Sequence, residues 1–264
     1  MATNEDDDHK WLHHTLEPPK LGDDGSIDWA LLWLYRRRRG VLEPRPIFTG
    51  DIFANVMIVG EIEPVTLAVM QHPCALFDSN NDLRETLLGA KLVDFPEVSV
   101  SGWAGNYDYM PLVVRDAKPP KHQAIAFNEL VLVRSSELHL KKRVACMEIE
   151  GIARLLQRWM NVNTRVVVPG WRFEQVVNAQ FAEAEGIESW CTERAPAGIA
   201  QADSAKEATA WLDEKLAETG KPRRMILQDP SSRKSMIRLM LTTARGLTER
   251  DLADQTTLEE PQKK

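Results

Sequence analysis

The spacing of apolar residues changes period once along this chain, near Lys141, and that change restricts the fold more than any other feature. From Val41 to Leu140, short runs rich in β-branched and aromatic residues are cut by glycine and proline. Ile47 to Val59 ends at Gly60 and Pro64, and Val65 to Met70 ends at Pro73. Further strand candidates are Ala90 to Asp94, Val98 to Trp103, Tyr109 to Val114 and Ala124 to Val133. Short strands at close spacing, with no long helix between them, predict an antiparallel barrel or a strongly bent sheet. After Lys141 the period is helical. A helix from Arg143 to about Asn163 places Ala145, Ile149, Ile152, Leu155, Leu156 and Trp159 on one face, and Phe173, Val177 and Phe181 form an i, i+4, i+8 stripe. Ser204-Ala205-Lys206-Glu207 reads as a capping box before Ala208, Trp211, Leu212 and Leu216. Met225-Ile226-Leu227 reads as a short strand. Asp229-Pro230 then starts a helix carrying Met236, Ile237, Met240, Leu241 and Ala244, closed by Gly246. The expected class is α+β, a small antiparallel β-barrel followed by a helical C-terminal region.

The two ends differ from this body. Residues 1–25 hold few apolar side chains and predict a disordered acidic tail, and residues 247–264 predict an acidic tail at the other end. Ser26 offers an N-cap, Ile27, Ala30, Leu31 and Leu34 recur at helical spacing, and Arg36, Arg37, Arg38 and Arg39 precede Gly40, which predicts a leading helix. The expected organisation is therefore a tail over 1–25, a leading helix plus barrel over 26–140, a helical region with a basic helix over 141–246, and a tail over 247–264.

A chain of 264 residues can bury a core without disulfides or metal. Cys74, Cys146 and Cys191 are odd in number and form no CxxC pair, which argues against a disulfide framework or structural zinc, and no cofactor is expected. The longest uncharged run, Pro64 to Phe77, is 14 residues and too short to span a bilayer. The acidic start lacks the basic flank of a leader, so the expected location is the cytoplasm, with no membrane partner.

The formal net charge of -6 sits mostly in the tails, at -5 over residues 1–26 and -2 over 247–264. Lys221 to Arg245 carries seven cations against Asp229 alone. Neutralisation there must come from the acidic tails, from a second protomer in a homodimer, or from an anionic partner, either nucleic acid (RNA or DNA) or an acidic protein. The candidate phosphate contacts are Arg223, Arg224, Arg233, Lys234 and Arg238. Arg154 and Arg158 join them at i, i+4 on the helix from Arg143, where guanidiniums can track phosphates or form a solvated face paired with Glu148 and Glu150.

Five residues are weighed for catalysis. His72 and Cys74 flank Pro73, and imidazole beside thiol is the pair a thiol nucleophile requires, although a buried cysteine beside a turn histidine fits the triplet as well. Asp51 offers a carboxylate for acid or base work or a turn residue, Asp94 likewise, and Arg165 adds a cation after the Arg154 helix. Trp103, Tyr107 and Tyr109 either form a stacking platform or plug one end of a barrel. His9, His13 and His14 lie beside Asp6, Asp7 and Asp8 in the tail, where metal binding would be loose, and no metal site is expected.

The segment Pro46-Ile47-Phe48-Thr49-Gly50-Asp51-Ile52, followed by a buried strand and a polar break at Gln71-His72-Pro73, resembles the opening of MazF/PemK-like proteins. The resemblance covers about 30 residues. It implies a small SH3-like barrel and, with it, a nucleic-acid-associated module of a toxin-like or defence system. Many members are ribonucleases with an Arg-Pro pair entering the second strand, where this chain has Glu63-Pro64. A carboxylate there repels a scissile phosphate, so the resemblance implies the fold more than the activity. Two alternatives stand beside the module: a MazF-like ribonuclease with a rearranged active site using His72 or Arg165, and a non-catalytic interaction protein whose basic helix docks on an acidic partner.

Overall fold

The period change becomes a curled sheet followed by helices. The structure, a computed structural model, describes residues 15–29, 32–34, 45–58, 60–78, 82–114, 121–217 and 219–246. Seven antiparallel strands run through it: β1 (Trp33–Leu34), β2 (Ile52–Val56), β3 (Val65–Val69), β4 (Thr86–Asp94), β5 (Tyr109–Val114), β6 (Lys121–Arg134) and β7 (Arg143–Met147). Their spatial order is β1-β7-β2-β3-β4-β6-β5. The helices are α1 (Val100–Gly105), α2 (Ile149–Thr164), α3 (Gly170–Arg194), α4 (Gln201–Asp213), α5 (Arg223–Leu227) and α6 (Pro230–Ala244).

The sheet is a half-barrel and not the closed barrel expected, because among the described residues β5 pairs only with β6 and β1 only with β7. Its curl arises where pairing is interrupted. The long β4–β6 ladder shifts register between Ala90 and Leu92, and β2 shifts against β3 between Phe53 and Val56, beside Asn55 at φ 57. Such bulges bend a strand and increase its twist.

Several expectations fail for identifiable reasons. Among the described residues of the expected leading helix, Trp33–Leu34 is a strand against Cys146 and Met147, and Leu32 O accepts from Glu148 N at 2.9 Å, so edge pairing overrides a helical spacing there; Ala30 and Leu31 lie outside the described residues. Ser26 caps no helix and instead closes a turn on Asp24. Arg36 to Arg39 lie outside the described residues. So do residues 1–14 and 247–264, with His9, His13 and His14. Of the expected N-terminal tail, residues 15–25 are described and docked, with Leu16 1% exposed. Val98 to Trp103 is not a strand, because Ser99 Oγ accepts from Gly102 N and caps α1. The helix expected from Arg143 begins at Ile149, since Arg143–Met147 pairs with β2. The Ser204 capping box does not cap: α4 starts at Gln201 and Ser204 is buried inside it. Met225–Leu227 is a turn of helix, an outcome that a three-residue apolar run cannot foretell. Asp229 and Pro230 do cap α6 as expected, with Asp229 accepting from Ser231 N at 3.1 Å.

The chain divides into two compact units, residues 1–41 with 47–177, and residues 42–46 with 178–264. The expected boundary near 141 therefore moves, because α2 belongs with the sheet: its Trp159 stacks on Phe127 of β6, ring centroids 6.2 Å apart. The second unit has its own core of Ile187, Trp190, Ala208, Leu212, Leu227 and Met240 with their neighbours. α3 and α6 approach closely at Gly186, where a Cβ would lie 2.9 Å from Met240 Sδ. Arg45 belongs to this unit. It is 1% exposed, pairs with Glu188 at 2.9 Å and sits 5.2 Å from the Phe181 ring centroid.

Candidate functional site

Gly50 and Asp51, which carry the resemblance, form a turn entering β2. Gly50 has φ 84, and a side chain there would strike Met147, so only glycine fits. Asp51 is 1% exposed, and its Oδ2 accepts from Phe48 N and from Arg143 Nη1, each at 3.0 Å. Both partners hold the carboxylate inside the fold, away from any substrate. The candidate acid–base residue is a buried anchor between the first turn and β7.

His72 and Cys74 are brought together, but through the backbone. Pro73–Ala75 is one 3-10 turn, and Cys74 N donates to His72 Nδ1 at 3.2 Å. The lone pair that would have to take the thiol proton is already an acceptor, and burial holds the imidazole below its ordinary pKa. His72 therefore caps a turn. Cys74 is exposed. Asp94 is an exposed strand-end residue paired with Lys121 at 2.7 Å.

The face of α2 expected to track phosphates is covered. Residues Glu150 to Arg158 are buried without interruption. Arg154 pairs with Glu17 and, at 3.6 Å, with Glu150, which also holds Lys20 at 2.8 Å. Arg158 is 1% exposed. It donates to the carbonyls of Trp103, Asn106 and Tyr109, the last at 3.1 Å, with its guanidinium 3.9 Å from the Trp103 ring centroid. Burial, with Arg154 adding repulsion, pushes its pKa down to about 9, which leaves it charged at neutral pH. Neither arginine is available to a phosphate. Arg165 lies beyond them, exposed, at the α2 C-cap with φ 61. Trp103 is fully buried and donates its indole N–H to Pro111 O at 2.9 Å, whereas Tyr107 is 45% exposed.

The stretch from Lys221 to Arg245 is answered locally to a large extent. Arg223 pairs with Glu214, and its guanidinium stacks 4.4 Å from the Trp211 ring centroid. Arg224 bridges Glu183 at 3.1 Å and Asp213 at 3.2 Å, and burial raises the Glu183 carboxyl against the pull of Arg224. Arg233 turns back to cap α5, donating to Leu227 O at 2.8 Å and Gln228 O at 3.3 Å. Arg245 grips Glu193 with two bonds, at 2.7 and 2.9 Å. Lys234 and Arg238 are exposed one turn apart on α6, and no acidic residue occurs between Pro230 and Arg245.

No family model and no curated protein matches this chain. Function must therefore be read from the geometry. Among the described residues no helix is long and apolar enough to cross a membrane, and no three His, Cys, Asp or Glu side chains cluster as metal ligands would.

The residues that sequence reasoning missed are the acceptors. Glu17 accepts from Gly170 N at 3.0 Å as well as from Arg154, and Glu17 N donates to Gln157 Oε1 at 2.9 Å. These partners lie more than 130 positions apart, so no local pattern could announce them. Cys191 is buried, and desolvation with nearby Glu188 pushes its thiol up to about 11, so it is not a nucleophile at neutral pH.

Proposed function

We propose that this chain is a non-catalytic binding protein whose helical unit offers the outer face of α6 to an acidic surface on a partner protein. One observation carries the reading: Lys234 and Arg238 are both exposed, one turn apart, on a helix in which no acidic residue occurs between Pro230 and Arg245. The first unit then serves as scaffold. A bent antiparallel half-barrel opened by the Gly50-Asp51 turn is compatible with a MazF/PemK-like, SH3-like origin, and its buried Asp51 and backbone-capped His72 suit a scaffold better than a ribonuclease.

A nucleic-acid-associated module of a toxin-like or defence system is the second reading, favoured by the one-turn spacing of Lys234 and Arg238, which lets both reach one strand of phosphates. Magnitude separates the two. Seven phosphate contacts would give a log K against log salt slope of about -6, whereas two give about -2. The test measures retention of the full chain on poly-glutamate and on duplex DNA against salt, for wild type and for Lys234→Glu with Arg238→Glu. Retention on poly-glutamate should fall more than tenfold in the double variant. A DNA slope near -6, or RNA cleavage that disappears on replacing His72 or Arg165, overturns the reading.

A further inference from the structure

Residues Thr15 to Lys20 lie in neither helix nor strand, and α2 holds them as a protein holds a bound peptide, one group at a time. Leu16 is buried. Two main-chain amides donate to side chains of α2, Glu17 N to Gln157 Oε1 at 2.9 Å and Lys20 N to Glu150 Oε1 at 3.3 Å. The Glu17 carboxylate is shared between Arg154 Nη1 and Gly170 N, the latter 3.0 Å away, and Lys20 Nζ reaches Glu150 at 2.8 Å. Pro18 and Pro19 stand between these anchors with φ already fixed, so the segment loses little entropy on docking.

What lies beneath separates this segment from the core. Glu150, Arg154 and Gln157 recur at i, i+4 and i+7, so they share one face of α2, and each is at most 8% exposed. All three are hydratable. Uncovering them exchanges protein hydrogen bonds for water, and Arg154 keeps Glu150 at 3.6 Å, whereas uncovering leucines would forfeit their burial outright. The carboxylate also has a fitted seat. A Cβ on Gly170 would strike Arg154 Nη1 and lie 2.8 Å from Glu17 Oε2, so only glycine lets the anion meet the amide.

We infer that this face of α2, with Gly170, is a docking site for an extended peptide in which an apolar residue is followed by glutamate, two prolines and lysine, and that Leu16 to Lys20 fills it in cis as a releasable strap. A partner bearing that pattern must displace a tethered competitor whose effective concentration is about millimolar. The site stands without the α6 face proposed for an acidic partner.

The test follows the Gly170 amide resonance of the full chain by NMR, with a synthetic peptide of residues 15–21 and with acetate as the bare anion. Leu16→Ala with Glu17→Ala should shift that resonance by emptying the seat. The peptide should return it to its wild-type position, and acetate at the same concentration should not. By fluorescence anisotropy of the labelled peptide, the wild-type chain, with its strap in place, should bind about tenfold more weakly than the double variant. A peptide carrying Glu17→Gln should also bind the double variant about tenfold more weakly. The inference falls if the peptide leaves the Gly170 resonance of the double variant unmoved at about millimolar concentration, if acetate restores it equally, or if the glutamine peptide binds as tightly. Should the double variant not fold, Glu17→Gln takes its place. If that too unfolds the sheet along with the strap, the segment is part of the cooperative fold and the inference falls equally.

Discussion

α2 and α6 carry the same device in sequence and put it to opposite uses. Each places two cations one turn apart, Arg154 with Arg158 and Lys234 with Arg238. On α2 the pair is 8% and 1% exposed and ends on carboxylates and carbonyls. On α6 the pair is exposed and the helix has no acids. Spacing decides that two side chains share a face; distant segments decide whether that face meets water. The choice of cation fits the outcome. Both buried positions are arginine, whose planar fork can serve several acceptors at once, as Arg158 does with three carbonyls.

The comparison is tested hardest at Arg158. Arg158→Met keeps the apolar stem but leaves the carbonyls of Trp103, Asn106 and Tyr109 without their donor. The expected loss is about 3–5 kcal/mol, as for removing one member of a buried charged network. Arg238→Met, the matching change on α6, should stay within about 0.5 kcal/mol. Urea unfolding of both variants measures the difference. Equal losses would show that the two helices are covered alike.

The same contrast separates what the sequence could tell from what it could not. The strands β3, β5 and β6, and the α6 start at Asp229-Pro230, were legible because period and capping are local. The half-barrel was legible only as a bent sheet, since nothing local says whether β5 finds a closing partner. Trp33–Leu34 has a helical spacing and forms a strand, because β7 offers an unpaired edge more than 100 residues away. The basic stretch was visible as a charge excess, yet Glu183, Glu193 and Glu214, which answer Arg224, Arg245 and Arg223, arrive by folding. Similarly, Trp211 was legible as an apolar helix position, but not that Trp190 of α3 would pack beside it.

Glu17 gives an intermediate effect. Its carboxylate joins the N-terminal segment to Arg154 and to Gly170 N, so Glu17→Gln keeps a hydrogen-bonding side chain and deletes the charge. Arg154 retains Glu150, which limits the loss to about 1–2 kcal/mol. Hydrogen exchange at the Glu17 and Lys20 amides, which donate to Gln157 and Glu150, should accelerate about tenfold while α6 amides keep their rates. Unchanged exchange would mean that apolar contacts such as Leu16 hold the segment and that the cover over α2 does not depend on charge.

The smallest effect belongs to Arg245 and Glu193, an exposed pair at the end of α6. Hydrogen bonding to Arg245 holds the Glu193 carboxyl below its ordinary 4.5, with desolvation opposing. An acid with a lowered folded pKa binds fewer protons folded than unfolded. Its contribution is thus present above about pH 4.5 and lost as the pH falls through the folded value. Arg245→Gln should flatten that part of the stability curve, read as urea midpoint between about pH 3 and pH 6. Because the pair faces solvent, the difference between variant and wild type should shrink in about 1 M salt, where screening acts over about 3 Å. Arg154 and Glu150 are 10% and 8% exposed and so are screened less, and a salt response of equal size there would erase the distinction between the two helices.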